Sequence, residues 1–356
     1  MSLFDEILKG DESIVKNENA LGFEFIPKIM PFREQQQRYV ANCIKPLLAD
    51  KSGKNIFVYG PPGIGKTAAI KWVLRDLEEH TDDVFMIFVN CWNKNTTYKV
   101  MMEICEQLEY RFVQNKKTEE LFGAIKKILN QKPVVLVFDE IDKAEDYDFL
   151  YSFIEEIHQK TIVLITNYKD WLTDLDHRIK SRLLPDMLEF KQYDKKETFG
   201  VMKQRKDYAF FPNVWEDKAF QLIVDKTAEI KDIRSGLFLM KESAGFAENE
   251  AAKKIDEEHA KKAILKLDEF KANDEENLEE DCQEILDIIK DNSGKSIGEL
   301  HKVYEEQGKK MSYKSFSRRI EKIKNSKMIT VEKIVGGKEG TKTIVNYGSI
   351  KKITDF

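Results

Sequence analysis

Residues 60–67 read Gly-Pro-Pro-Gly-Ile-Gly-Lys-Thr, between the apolar run Asn55-Ile-Phe-Val-Tyr59 and the helix-forming stretch Ala68-Ala-Ile-Lys-Trp-Val-Leu-Arg75. Strand, glycine loop and helix in that order are what a phosphate-binding loop requires. Gly60, Gly63 and Gly65 let the backbone wrap closely round an anion, and Pro61, Pro62 and Ile64 fill the loop between them. The helix that begins here adds its positive N-terminal end. Lys66 can reach the β- and γ-phosphates of a nucleotide, the Thr67 hydroxyl suits Mg²⁺, and Ala68 continues the first turn.

A second run, Val134-Val-Leu-Val-Phe-Asp-Glu140, has the continuous apolar pattern of a strand buried on both faces and ends in adjacent carboxylates. Asp139 is placed to hold the Mg²⁺ shell and Glu140 to polarise a water. The two motifs together predict ATP binding, and Glu140 predicts hydrolysis. Between 55 and 190, predicted strands (55–59, 84–89, 134–138, 161–166) alternate with predicted helices (66–79, 96–110, 118–130, 146–158), behind a helix at 33–48. Alternation with short connections implies a parallel sheet covered on both faces. Residues 195–269 show helical periodicity without a strand signal, so an all-α domain follows. The acidic stretch 271–280 reads as a linker or a solvated helix start. The expected domains are 1–192, 193–270 and 281–356.

The last segment differs in charge. The 356-residue chain has a net charge of −5, but residues 281–356 carry 16 Lys/Arg against 11 Asp/Glu, which leaves −10 for the rest. A basic module on an acidic body points to a nucleic-acid partner. Helices are expected at 281–290, 296–306 and from 312, then β-type runs at 328–335 and 341–347 around Gly336-Gly-Lys-Glu-Gly340. That is the winged helix-turn-helix pattern. In the third helix Phe316, Ile320 and Ile323 share a core-facing stripe, with Ser312 as N-cap. Lys314, Ser315, Arg318, Arg319 and Lys322 are then left outside, and Lys338 and Lys342 flank the turn. Such a face suits the major groove of double-stranded DNA, and it equally suits a protein-docking module.

An apolar fraction of 42% and a charged fraction of 34% place the chain among globular proteins. No apolar run approaches the roughly 18 residues of a membrane span, and the acidic N-terminus lacks a signal-peptide profile. Cys43, Cys91, Cys105 and Cys282 are scattered, which predicts buried thiols in a reducing compartment. A cytoplasmic protein without a membrane partner is expected.

Taken in order, these motifs resemble the archaeal replication initiators of the origin-recognition and cell-division-control family of AAA+ ATPases, over about residues 12–347. Leu21-Gly-Phe-Glu-Phe-Ile-Pro27 and Met30-Pro-Phe-Arg-Glu-Gln35 look like that family's N-terminal box beside the adenine. The resemblance thereby implicates Pro27 and Arg33 in nucleotide binding, and Tyr193 with them. Ile165-Thr-Asn167 is similar to sensor 1, with Asn167 on the γ-phosphate or the attacking water. Arg178-Ile-Lys-Ser-Arg-Leu183 resembles the arginine-finger box. There Arg182, or Arg178 one turn before it, would reach the ATP of another initiator subunit; salt-bridged arginines are the plainer reading.

Lys231-Asp-Ile-Arg234 resembles the lid sensor that brings Arg234 to the γ-phosphate, although the family more usually has glycine where Lys231 stands. Residues 92–112, with Lys94, Lys99 and Arg111, take the place of an extra initiator helix. The resemblance implies an α/β P-loop AAA+ core with an all-α lid domain and a C-terminal winged helix-turn-helix domain. ATP or ADP and Mg²⁺ are the implied cofactors, with slow hydrolysis acting as a switch. Origin DNA and the replicative helicase are the implied partners. Two other readings stay open: a signal-transducing ATPase whose winged helix docks proteins, and a fast DNA-stimulated motor.

Overall fold

The computed structural model describes residues 13–309, 311–325, 329–336 and 340–347, with backbone alone at 270–281, 325, 330, 332–336 and 340–342. The chain divides into two units after Leu265. In the first, helix α1 (Glu34–Ile44) precedes strand β1 (Ile56–Tyr59), α2 (Lys66–His80), β2 (Phe85–Asn90), α3 (Thr97–Gln107) and α4 (Thr118–Leu129). There follow β3 (Val134–Asp139), α5 (Asp148–Glu156), β4 (Lys160–Thr166), the short helices α6 (Trp171–Asp174) and α7 (His177–Leu183), and β5 (Asp186–Glu189).

The five strands form one parallel sheet in the order β2-β3-β4-β1-β5. Alternate residues of β1 to β4 enter opposite cores. Phe57, Leu136, Phe138, Ile162 and Leu164 pack with α3, α4 and α5 on one face. Ile56, Val58, Val135, Val137, Val163 and Ile165 pack with α1 and α2 on the other. Both faces being buried, all six residues of β3 are inaccessible, the state its unbroken apolar run demands. The register pairs Tyr59 with Thr166 and Asn90 with Asp139, so the carboxyl ends of four strands reach one edge together. In sheets of this kind ligands bind at that edge.

Two features depart from expectation. The strand β5 was not anticipated: its residues alternate between half-buried and exposed, and only pairing with β1 defines it. The helix expected to run to 48 ends at Ile44 and tightens into a 3₁₀ turn over Lys45–Ala49, where Pro46 has no N–H to continue an α-helix.

Helices α8 (Lys195–Ala209), α9 (Asp217–Ile230) and α10 (Ile233–Asn249) follow, with the start of α11 (Glu257–Asp291) completing this unit. Asp194 and Glu197 close a capping box at the head of α8, satisfying two otherwise orphaned N–H groups. The turn from α9 into α10 puts Lys231 at φ +61°, where a glycine's freedom would normally be used.

In the second unit α11 runs on to Asp291, so the acidic stretch expected as a linker or a solvated helix start is helical in its backbone. Strand β6 (Lys295–Ser296), α12 (Ile297–Glu306), α13 (Tyr313–Asn325), β7 (Ile329–Gly336) and β8 (Gly340–Tyr347) follow. The two long strands pair antiparallel up to Gly336 and Gly340, the expected turn at 337–339 lying outside the described residues, and the unexpected two-residue β6 adds to β8. Ile285, Ile289, Leu300, Phe316, Ile320 and Val345 form the core of this unit. Among the described residues no helix is long and apolar enough to cross a membrane.

Left-handed backbone costs a non-glycine residue about 1–2 kcal/mol, and glycine returns part of that through the entropy of the unfolded chain. Lys231→Gly is therefore expected to stabilise the protein by about 0.5–1 kcal/mol, read as a higher urea midpoint at unchanged slope.

Candidate nucleotide site

The chain leaves β1 through Gly60, Gly63 and Gly65, all at positive φ, and enters α2 at Lys66. A side chain at Gly60 would begin 2.2 Å from the Phe190 carbonyl, so the loop hugs the sheet where β5 ends. Lys66 is buried, and its ammonium donates to the carbonyls of Gly60 and Pro61 at 2.7 Å and to Asn167 Oδ1 at 2.8 Å. Burial draws its pKa down to about 8; the Asp139 carboxylate opposes this and the nearby Arg234 adds to it.

Beside it, the Thr67 hydroxyl donates to Asp139 Oδ2 at 2.9 Å, and the Glu140 backbone N–H donates to Asp139 Oδ1 at 3.0 Å. Burial pushes the Asp139 carboxyl up to about 6 despite the Thr67 bond. Glu140 itself sits at φ +52°, a strained position that turns the chain sharply out of β3.

A cavity opens against this edge. Pro62, Gly63, Ile64, Gly65, Lys66, Thr67, Ala68, Asp139, Glu140 and Asn167 line one end. Phe23, Pro27, Met30 and Tyr193, with Val201, Gln204 and Leu237 of the helical segment, form a mostly apolar end. Ile233 and Arg234 at the head of α10 complete the wall, and the Ile233 N–H donates to Gly63 O at 3.2 Å.

Arg33 stands behind this wall and does not line the cavity. It is buried, donates through Nε and Nη2 to Ile64 O and through Nη2 to Lys191 O, and stacks 3.8 Å above the Tyr193 ring. It braces the loop. Gly60 and Pro61 also lie behind the lining, where they serve Lys66 through their carbonyls.

Arg205 escaped the sequence reading. It lines the cavity and donates to Ala20 O at 3.1 Å and Phe25 O at 3.0 Å, tying the N-terminal segment to α8. Burial lowers its pKa to about 10. A signal was available: Thr198, Met202, Arg205 and Ala209 occupy one face of α8 at helical spacing, which puts an arginine on the buried stripe.

The three arginines assigned to sensor and finger roles are each paired with a carboxylate. Arg234 is held by Asp232, with Nε 3.2 Å from Oδ1 and Nη2 3.0 Å from Oδ2. Arg178 pairs with Asp176 at 3.0 Å, and Arg182 pairs with Glu155 and lies over the Tyr151 ring. Neither Arg178 nor Arg182 lines the cavity.

In the second unit Phe316, Ile320 and Ile323 are buried as their spacing requires, and the Ser312 hydroxyl caps α13 by accepting the Ser315 N–H. Lys314, Arg318 and Lys322 are exposed, Ser315 and Arg319 half-buried, and Arg319 Nη1 lies 3.1 Å from Met311 Sδ. Lys338 and the side chain of Lys342 lie outside the described residues.

Residues 49–170 match the AAA domain family, and residues 199–265 match the Cdc6 AAA+ ATPase-type lid domain. With the glycine loop, the buried carboxylate strand and the helical lid described above, these matches define an AAA+ ATPase. The chain is 31% identical over 281 residues to an ORC1-type DNA replication protein 1 of Sulfurisphaera tokodaii, covering 75% of this chain and 71% of that one. An ORC1-type DNA replication protein 2 of Methanosarcina mazei is 26% identical over 359 residues, covering 96% of this chain and 95% of its own. The protein belongs to the ORC1-type DNA replication proteins. Its fold is shared by the Aeropyrum pernix ORC1 protein solved in complex with DNA, at a TM-score of 0.69 and 23% identity over 95% of each chain.

The Asp139 carboxyl sits above its ordinary value of 3.8, so the folded chain holds that proton more tightly than the unfolded one. The resulting destabilisation is absent below about pH 4 and complete above about pH 6. Asp139→Asn should stabilise the nucleotide-free protein by about 1–2 kcal/mol at pH 7, less than the shift alone implies because the amide accepts one hydrogen bond fewer. Thermal melts at pH 7.5 and pH 3.5 check this: the gain must vanish at the lower pH.

Proposed function

We propose that this protein is an ATP-controlled replication initiator that binds origin DNA through its second unit. The observation that carries the reading is the meeting of Lys66, Thr67, Asp139, Asn167 and the lid's Arg234 on one cavity, in a chain of the ORC1-type family. The triphosphate lies along the loop, with Lys66 on its β- and γ-phosphates and the base between Pro27, Tyr193 and the apolar wall. Phosphate oxygens compete for the three Lys66 hydrogen bonds, which releases Asn167 to orient the γ-phosphate or a water. The adjacent oxygen donors of Thr67 and Asp139 fit a hard cation, and Mg²⁺ held there would neutralise phosphate charge. Glu140 takes a proton from the attacking water.

Arg234 couples the γ-phosphate to the position of the lid, and Arg182, with Arg178, meets the nucleotide of a neighbouring subunit after leaving its carboxylate partner. Turnover is slow because the bound nucleotide marks a state. The second unit acts as a winged helix, with Lys314, Ser315, Arg318, Arg319 and Lys322 on α13 against the duplex and Lys338 and Lys342 on neighbouring phosphates. Assembly at an origin then recruits the replicative helicase. Related proteins support the DNA and nucleotide parts: an Aeropyrum pernix ORC1 solved in complex with DNA and an Aeropyrum pernix ORC2 solved with ADPNP and ADP.

Removing the base should separate binding from chemistry. Glu140→Gln is expected to bind ATP like the native protein and to hydrolyse it about a hundredfold more slowly, the usual contribution of a positioned general base. Hydrolysis at the native rate overturns the assignment.

The DNA reading is tested by titrating labelled origin duplex and a scrambled duplex at two salt concentrations, with ATP and with ADP. An Arg318→Ala/Arg319→Ala double variant should lose the origin preference and shallow the salt dependence by about one to two phosphate contacts. Absence of binding, or binding indifferent to DNA sequence and to the substitutions, moves the weight to an ATPase whose second unit docks a protein.

A further inference from the structure

Asp232 is the N-cap of α10, and its carboxylate accepts the Arg234 backbone N–H at 2.8 Å as well as the two guanidinium bonds. Much of that geometry is local. Asp176 caps α7 and grips Arg178 in the same way, at 2.8, 3.3 and 3.0 Å. An Asp-X-Arg sequence at a helix start forms such a clasp wherever it falls. What distinguishes the second clasp is its position. The Asp176–Arg178 pair is exposed and away from the nucleotide cavity. The Asp232 carboxylate instead lies flat against the phosphate loop: a Cβ on Gly63 would stand 1.9 Å from its Oδ1 and 2.2 Å from its Cγ. Only a glycine leaves it that room. The next residue, Ile233, donates its N–H to Gly63 O, so loop, carboxylate and lid helix are locked together at one point.

From this we infer that Asp232 is a positioning residue that restrains the lid arginine's preference for ATP over ADP, by holding Arg234 in a clasp that a γ-phosphate must open. The inference rests on the reading that Arg234 meets the nucleotide. Its physics is a competition for one guanidinium. With the clasp closed, Asp232 and Arg234 form a neutral pair beside the loop, and a diphosphate seated on Gly63, Gly65 and Lys66 has no oxygen to offer further along. A γ-phosphate does. It takes the guanidinium in bidentate fashion, as carboxylate and phosphate both can. The Asp232 carboxylate is then left without its partner next to an anion-binding loop. That penalty subtracts from the affinity for ATP and not from the affinity for ADP. The same exchange frees the first turn of α10 to move, since the carboxylate that fills the space over Gly63 is repelled by the triphosphate. A conformation held closed in this way lowers apparent affinity by the fraction of open state.

Titration calorimetry of the full chain with Mg²⁺-ADP and with the Mg²⁺ complex of β,γ-imido-ATP tests the clasp. Asparagine caps a helix as well as aspartate does, so Asp232→Asn keeps α10 intact and removes only the charge. The ratio of ATP-analogue to ADP affinity should rise about threefold to tenfold in Asp232→Asn, the range of a half-exposed charge pair. Asp225→Asn, which removes the charge partner of Lys195 outside the cavity, should leave the ratio as it is. In an Arg234→Ala background Asp232→Asn should have no effect on the ratio, because the competition has lost its object.

An unchanged or lowered ratio in Asp232→Asn overturns the inference, as does an equal rise in the Arg234→Ala background. The two readings fail separately. If Arg234→Ala lowers the ratio while Asp232→Asn leaves it alone, the clasp is wrong and the lid sensor stands. If Arg234→Ala leaves the ratio at the native value, the sensor role itself is wrong and the inference falls with it.

Discussion

Two loop carbonyls and one side-chain amide converge on the ammonium of Lys66, at 2.7, 2.7 and 2.8 Å. A charge as deeply enclosed as this one costs several kcal/mol when left without partners, of the order measured for buried unpaired groups. The fold brings the partners. Gly60 and Pro61 follow β1, Asn167 follows β4, and Tyr59 is in register with Thr166. A slip of β4 by one residue would turn its side chains to the opposite face and carry Asn167 away from the ammonium. The register of one strand pair therefore decides whether the loop closes. That register is secured in turn by the burial of both sheet faces, since every inward side chain of β4 would otherwise meet the wrong core.

Legibility in the sequence follows how local each signal is. The glycine loop and the Val134–Asp139 strand are contiguous, and each carries its own chemistry, so both could be read residue by residue. The three residues placed on the core face of α13 are buried because helical spacing alone determines them. The strands β5 and β6 could not be read, because four and two residues respectively become strands only by pairing with β1 and β8. Pro46 was a visible helix breaker and was passed over. Arg33 shows a different limit. Its proximity to the nucleotide site is real, but an arginine that braces the Ile64 carbonyl and one that touches a ligand look identical in sequence.

The arginines make the same point about charge. Arg178 and Arg182 lie four residues apart on α7, which places them on one face but does not say what each meets. Arg178 takes its carboxylate from two residues upstream, Arg182 from α5, twenty-seven positions earlier in the chain. Surface pairs of this kind are worth about 0–1 kcal/mol, so neither is bound firmly enough to keep an arginine from a better anion. Pairing with these carboxylates and service to a phosphate are thus compatible.

The site also concentrates features that cost the fold free energy. At pH 7 burial works against the charge on Lys66, whose pKa is drawn down to about 8, and against the charge on Asp139, pushed up to about 6. Glu140 and Lys231 both occupy left-handed backbone, one at the end of the carboxylate strand and one at the entry to the lid helix. None of these serves the fold. Lys66 and Asp139 offset each other only in part; an anionic phosphate would add counter-charge at Lys66 and a cation at Asp139, so a ligand carrying both would relieve two penalties at once. Anything that binds the folded chain and not the unfolded one stabilises it. Here the gain is larger for a ligand that brings both charges than for one that brings either alone. On the proposed reading these penalties would favour a metal-bound nucleotide over bare phosphate, through the loop and the carboxylate strand and before any contact with the base.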